Sequence, residues 1–419
     1  MIKKYFRTSM FAALCTLMTT GFTACSSSNN DDPTTPSISE NEAQMKQIAN
    51  QYINNTINLT YKELAESTGK LYDKLSAVTE KFKKDPKSVA QSEIDDICTT
   101  FLEARSEYEE SEAFLYGAAT DFGIDPHIDT WPLDVDGLAT ELSNSEKIAN
   151  LDGENGITYA GGKMGQELLG FHGIEFVIFR EGKNRTVEAL QANETDEAFK
   201  NKTVTGKEEL IYATAVAGDL RDRCWQMEVS WNENAPEAHK ERVKEIELPY
   251  TVNGGEKSYG QNFLAAGQAG STYATCAEAM STILIAGCQN ISNEVANVKI
   301  GNPFSGSDVN YIESPYSHKS FVDFKDNIIS IKNSIYGGRE ESRDESKSLI
   351  QYMKNHNYEN TAALEKSLTE AIDALDNCQK QLGSFVEHIN DPLVGTAQEK
   401  VKALDEQLTK AGNWFATQK

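Results

Sequence analysis

The chain has 419 residues, enough for two domains or for one large one. Its formal charge is -24, from 64 Asp and Glu against 40 Lys and Arg, a field that repels phosphate backbones and argues against nucleic acid as a partner. The same sign favours cations or basic partners, although much of the acidity is expected simply to solvate helix faces.

Residues 1–24 open with Lys3, Lys4 and Arg7, continue through the apolar stretch Met10–Met18, and end at Phe22-Thr23-Ala24 before Cys25. A basic start, a short apolar run and a small residue before cysteine form a bacterial lipoprotein export signal; Phe22 is a departure where Leu is commoner. Cys25 is thus the expected lipid anchor, and residues 25–38 a disordered polar tether. The apolar run is too short to span a bilayer, so the membrane is expected to be met through lipid alone. Beyond Cys15 and Cys25 five cysteines remain, Cys98, Cys224, Cys276, Cys288 and Cys378. No two of them form a C-x-x-C pair, and their default is that of small buried hydrophobes.

From Ser39 to Phe82, Ile48, Tyr52, Leu64, Leu71 and Leu75 recur at helical spacing, with Ser39 placed as N-cap and Glu42 three residues on. Asp85-Pro86 closes that helix. A second helix is expected over about Val89 to Gly117, where Arg105, Tyr108, Glu112 and Phe114 mix charge with aromatics. Arg105 and Glu112 are seven residues apart on one face, a spacing that a surface ion-pair ladder would also have. Residues 121–136 read as a loop, broken by Pro126 and Pro132, in which Trp131 plugs a core or walls a pocket.

The stretch Lys163 to Arg180, KMGQELLGFHGIEFVIFR, reads as one helix that is apolar nearly all round and therefore buried. His172 lies at the centre of its apolar stripe with Leu168, Leu169, Phe176 and Phe179, and Glu175 lies one position to the side. A buried carboxylate must be paired, protonated or metal-bound, because leaving it charged and alone costs several kcal/mol. Gly165, Gly170 and Gly173 each cost about 1 kcal/mol against Ala inside a helix, which implies that another backbone or a ligand comes close. The H-x-x-E spacing suits two ligands sharing a metal or a proton, and equally a hydrogen-bonded pair that only fixes packing.

Lys207 to Trp231 is helical again, and the polar stretch Asn232 to Tyr259 is the expected domain boundary. This divides the mature chain into a lobe at 39–235, a linker at 236–260 and a lobe at 261–419. Phe263 to Val298, rich in Ala and Gly, is expected to be a closely packed helix, followed by a loop from Lys299 to Tyr316. A further helix ends at Tyr336-Gly337-Gly338 with a glycine C-cap. Arg343–Met353, Thr361–Ile389 and Thr396–Phe415 complete an all-α tally of two helical bundles.

With these stretches in place, the chain resembles the imelysin family of bacterial envelope proteins. Gly170-Phe171-His172-Gly173-Ile174-Glu175 is similar to the family's G-x-H-x-x-E motif, Trp131-Pro132-Leu133-Asp134 to its W-P-L-D, and Ser111-Glu112-Ala113-Phe114 to its S-E-A-F. Glu313 through Asp323 is similar to a family segment that leads into a helix ending in Tyr-Gly, although Pro315-Tyr316-Ser317-His318-Lys319 departs from the expected acidic and Asn residues. The resemblance implies two helical-bundle lobes with a cleft between them and an H-x-x-E site at that cleft. It also implies a cell-envelope location of Gram-negative type, lipid-anchored to the outer membrane and facing the periplasm or the surface.

Family members have been classed as metallopeptidases, and relatives are associated with iron uptake. A zinc enzyme would use His172 and Glu175 with a third ligand and a water, one of the carboxylates acting as base. That ligand would come from His127, His239, His318, His356 or His388, or from Asp134, Glu313 or Asp323 as oxygen donors. Arg105, Glu112, Trp131, Ser317 and His318 are the expected cleft lining. A binding protein needs less, a cleft that captures a divalent cation such as Zn or Fe, a small ligand or a peptide. A third reading is an envelope interaction protein whose polar cluster is structural.

Overall fold

The structure, a computed structural model, describes residues Ser39–Gln418. The export signal, Cys25 and the tether lie outside the described residues. Ser39 caps the first helix, Glu40–Gln51, its hydroxyl accepting from the Glu42 amide at 3.2 Å. One π-helical stretch, Tyr52–Ile57, joins it to Asn58–Lys84, against which Gln91–Glu109 packs.

Gly206–Trp231 is the central helix of the N-terminal half, started by a capping box between Thr205 and Glu208. It is buried on nearly every side because Asn58–Lys84, Gly156–Lys163, Gly170–Ile178 and Glu237–Glu245 all pack on it. In the C-terminal half, Thr361–Leu382 packs between Ser320–Tyr336 and Pro392–Phe415. Two contacts join the halves: Ser320–Tyr336 lies on Gln91–Glu109, and the first helix lies on Cys276–Thr282. One continuous hydrophobic core therefore runs from Met45 to Phe415, with a small satellite at Val229, Ala235 and Val243. Each Leu, Ile or Phe fully buried there stabilises by about 1.5 to 3 kcal/mol.

The all-α expectation holds, and the strands among the described residues are two residue pairs, Phe179–Arg180 with Lys183–Asn184. They lie within and just after the stretch expected to be one long helix, which is in fact several pieces. A helix ends at Lys163, a 3-10 turn covers Gln166–Leu168, and the H-x-x-E helix is only Gly170–Ile178. Backbone geometry explains both ends. Gly170 has φ +69°, and a Cβ there would sit 1.8 Å from the Ile128 carbonyl oxygen. At the other end Glu181 and Gly182 both have positive φ, as a two-residue hairpin turn requires.

Phe263–Val298 is likewise not one helix. Tyr259–Leu264 is followed by turns at Gly267 and Gly270, both with positive φ, before Thr275 caps the helix that starts at Cys276. That helix continues through two π-helical stretches, Ile283–Gln289 and Val295–Lys299, so Lys299 ends a helical segment where the sequence reading placed the start of a loop. The stretch read as a linker carries the helix Glu237–Glu245, whose Val243 joins the satellite core. Cys98, Cys224, Cys276, Cys288 and Cys378 are all free and buried, as small hydrophobes are.

Candidate functional site

The short H-x-x-E helix is held by close contacts at its glycines. A Cβ on Gly173 would fall 2.1 Å from the Tyr212 hydroxyl, which donates to the Leu168 carbonyl at 2.6 Å. His172 and Glu175 point from this helix into a chamber whose other walls are Gln91–Glu109, the 129–131 loop, Lys299, the strap 313–317 and Ser320–Tyr336. Glu175 is anchored by the strap: its Oε1 accepts from the Ser317 amide at 2.8 Å, the Ser317 hydroxyl at 2.6 Å and the Tyr316 amide at 3.2 Å. Its Oε2 lies 3.6 Å from His172 Nδ1, too far for a hydrogen bond, and has no hydrogen-bond partner.

On the other side of the ring, His172 Nε2 lies 3.1 Å from Asp129 Oδ1, yet off the line of a proper hydrogen bond. Arg105 ties the chamber together. Its guanidinium pairs with Asp129 and Glu109, reaches Glu313 Oε1 at 2.7 Å, and lies over the Phe171 ring. Lys299 Nζ shares Glu313 Oε1 at 3.0 Å and reaches Asn327 Oδ1 at 3.1 Å. Trp131 stands beside both, 5.4 Å from the Lys299 ammonium and 6.3 Å from the imidazole, and packs on Tyr311.

Six carboxylates are buried here (Glu109, Glu112, Asp129, Glu175, Glu313, Asp323), against Arg105, Lys299 and His172. Burial favours neutral forms, and it raises Glu109 and Glu112 well above the carboxylate range and Asp323 to about 7. For Asp129 burial is outweighed by Arg105 and His172, which hold it down at about 2. Burial would also discharge His172, but Asp129 and Glu175 outweigh it and lift the imidazole to about 9. The chamber thus holds imidazolium and carboxylate side by side at neutral pH.

Of the residues expected from sequence, Arg105, Glu112, Trp131, His172, Glu175, Glu313, Ser317 and Asp323 meet here. Glu112 lies at the edge, 3.9 Å from Lys299, and Asp323 accepts from the Ser314 hydroxyl. Arg105 and Glu112 are buried, so the surface-ladder alternative does not apply. Two residues are elsewhere. Asp134 is exposed and caps the next helix, accepting from the Gly137 amide. His318 packs against Gly182 and bonds the Ser384 hydroxyl at 3.1 Å. The other histidines with printed partners also pair away from the chamber, His127 with Asp219, His239 with Glu228 and His356 with Gln44. Sequence reasoning missed Glu109, Asp129, Lys299 and Asn327. Glu109 could have been found four residues after Arg105 on the same helix face; Lys299 carries no local signal.

Asp129, His172 and Glu313 each offer a ligand atom, and these atoms lie within 4.8 Å of one another; Glu109, Glu112 and Asp129 form a second such group. The first group fits a cation by its chemistry, one imidazole nitrogen and two carboxylates being suited to borderline divalent ions. Its unused valences agree, since Glu313 Oε2 and His172 Nε2 are both buried without a hydrogen bond.

A chain with this helical fold and this H-x-x-E chamber is of the imelysin class. The family model described as imelysin, peptidase M75, matches residues 57–411, and the chain belongs to that family. Iron-regulated protein A of Synechococcus elongatus is 23% identical over 272 residues, 65% of this chain and 60% of that protein. Among solved structures, a putative iron-regulated protein A precursor from Parabacteroides distasonis superposes with TM-score 0.69 at 24% identity, covering 89% of this chain and 95% of that one. An imelysin-like protein from Psychrobacter arcticum gives TM-score 0.53 at 14% identity, covering 90% of this chain and 94% of that one. Among the described residues no helix is long and apolar enough to cross a membrane.

Proposed function

We propose that this protein is a cell-envelope lipoprotein, tethered through Cys25, that binds one divalent cation, iron first, through His172, Asp129 and Glu313. The observation that carries the reading is the unpaired His172 Nε2, buried 3.1 Å from Asp129 Oδ1 without a hydrogen bond to it. Glu175 faces the other ring nitrogen and is itself fixed by the strap, so it orients the imidazole for its ligand. Arg105 spreads its charge over three carboxylates and keeps them gathered. In this role the interlobe cleft implied by the family resemblance is a closed chamber built from both halves of the chain. The iron regulation named for two relatives is consistent with an iron ligand.

A peptidase of the zinc type would need an open coordination position facing its substrate. The ligand atoms here are buried beneath Trp131 and the strap, which favours capture over turnover. The test is metal analysis and calorimetric titration of the purified mature chain with Fe(II), Zn and Ca, alongside activity on a peptide library. One ion per chain is expected, with binding lost in His172→Ala and Glu313→Gln and no peptide cleaved. A parent protein that takes up none of these ions would end the cation reading.

A further inference from the structure

The chamber has a second group of oxygen donors, and it already holds a positive charge. Glu109, Glu112 and Asp129 bring carboxylate oxygens within 4.8 Å of one another. Lys299, fully buried, places its ammonium among them. Nζ lies 3.0 Å from Glu313 Oε1, 3.1 Å from Asn327 Oδ1, 3.6 Å from Glu109 Oε2 and 3.9 Å from Glu112 Oε1, with the Trp131 ring as a further face. Glu313 belongs to both halves of the chamber: its Oε1 serves Arg105 and Lys299, while its fully buried Oε2 has no partner and is free for an ion. The π-helical stretch Val295–Lys299 delivers the ammonium, since an insertion of this kind turns a side chain away from the register of the helix before it. Several carboxylates and one carboxamide around a buried cation are the donor set of a hard divalent ion.

We propose that Lys299 is a built-in cation that fills an all-oxygen site for a hard divalent ion and so limits the chamber to one exogenous ion. Only the count of one rests on the His172 reading; the ammonium-filled site stands on its own contacts. The test uses the full mature chain with Lys299→Met, alone and combined with His172→Ala, melted in chelator and in millimolar Mn2+ or Ca2+. Removing the ammonium strands buried carboxylates, so the variant should melt on the order of 5 °C lower in chelator. Mn2+ or Ca2+ should restore it, with one more ion bound than in the parent, and the rescue should persist in the double variant. No rescue and no added ion overturn the proposal, and so does a rescue that His172→Ala abolishes, because the two halves would then be one site. A parent that binds no ion beside a Lys299→Met variant that does would refute the proposed function and support this inference. Should Lys299→Met be insoluble, refolding yields with and without Mn2+ decide; equal yields overturn it.

Discussion

A buried carboxylate has a small set of stable states, and Asp129 shows which this protein uses. Its charge is held by Arg105 and His172, so removing the guanidinium leaves Asp129, Glu109 and Glu313 without their shared counter-charge. Arg105→Met should therefore lose about 3 to 5 kcal/mol in denaturant unfolding, far above the effect of an exposed pair such as Lys200 with Glu197. The protonation pattern predicts a pH dependence of definite sign. His172, raised to about 9, stabilises the fold fully below its unfolded value near 6.5, and that contribution is lost as pH rises through 9. Asp323 and Glu209, both lifted to about 7 by burial, also bind more protons folded than unfolded, so deprotonating them between about pH 4 and 7 weakens the fold. Melting temperature in chelator should thus fall between pH 5 and 9, with the part above pH 7 flattened in His172→Ala; a rise over that range contradicts the assignment. Cation affinity should run the opposite way, because the imidazolium must give up its proton to bind. His172 and Glu175 were legible in the sequence because a charged pair in a fully apolar stretch is costly. Lys299 was not, because a lysine beside a glycine and a proline looks like any loop until a π-helical turn points it inward.

Helices were legible where local chemistry sets their ends, and were misread where tertiary contacts set them. Ser39 and Gly337 mark a start and a stop by capping, and both are found as expected. Gly170 ends one element and begins another because the Ile128 backbone leaves no room for a Cβ, a fact no periodicity carries. The two glycines of the H-x-x-E helix therefore answer differently to alanine. Gly173→Ala meets the Tyr212 hydroxyl, a side-chain atom, and Tyr212→Phe in the same chain should recover part of the loss, despite forfeiting about 1 kcal/mol of hydrogen bond to Leu168. Gly170→Ala meets backbone and carries a positive φ besides, so it should lose roughly 2 kcal/mol or more with no side-chain rescue. A thermal double-mutant cycle for Gly173 and Tyr212 that shows strict additivity would contradict the contact.

At the scale of the whole molecule, the two halves of the chain complete each other. Arg105, Asp129 and His172 come from one half, and Lys299, Glu313 and Asp323 from the other. The first helix rests on Cys276–Thr282, and a single apolar core runs through both. The polar composition of 232–259 suggested a connector between independent bundles, because composition reports solvent exposure and not what lies on either side. Within that stretch, Glu237–Glu245 is packed on the central helix, whereas Asn253–Glu256 is exposed, with positive φ at Asn253 and Gly254. Limited proteolysis should accordingly cut first at residues 251–257 and spare 170–178. The nicked halves should stay together on size exclusion and melt in one transition, since separating them would expose apolar helix faces and unpair Arg105 from Glu313. Expressed alone, residues 39–235 should show the exposed apolar surface and weak tertiary signal of an incomplete core. A cooperative melt of that fragment by itself would instead establish an autonomous bundle and place the Arg105–Glu313 contact at a true domain interface.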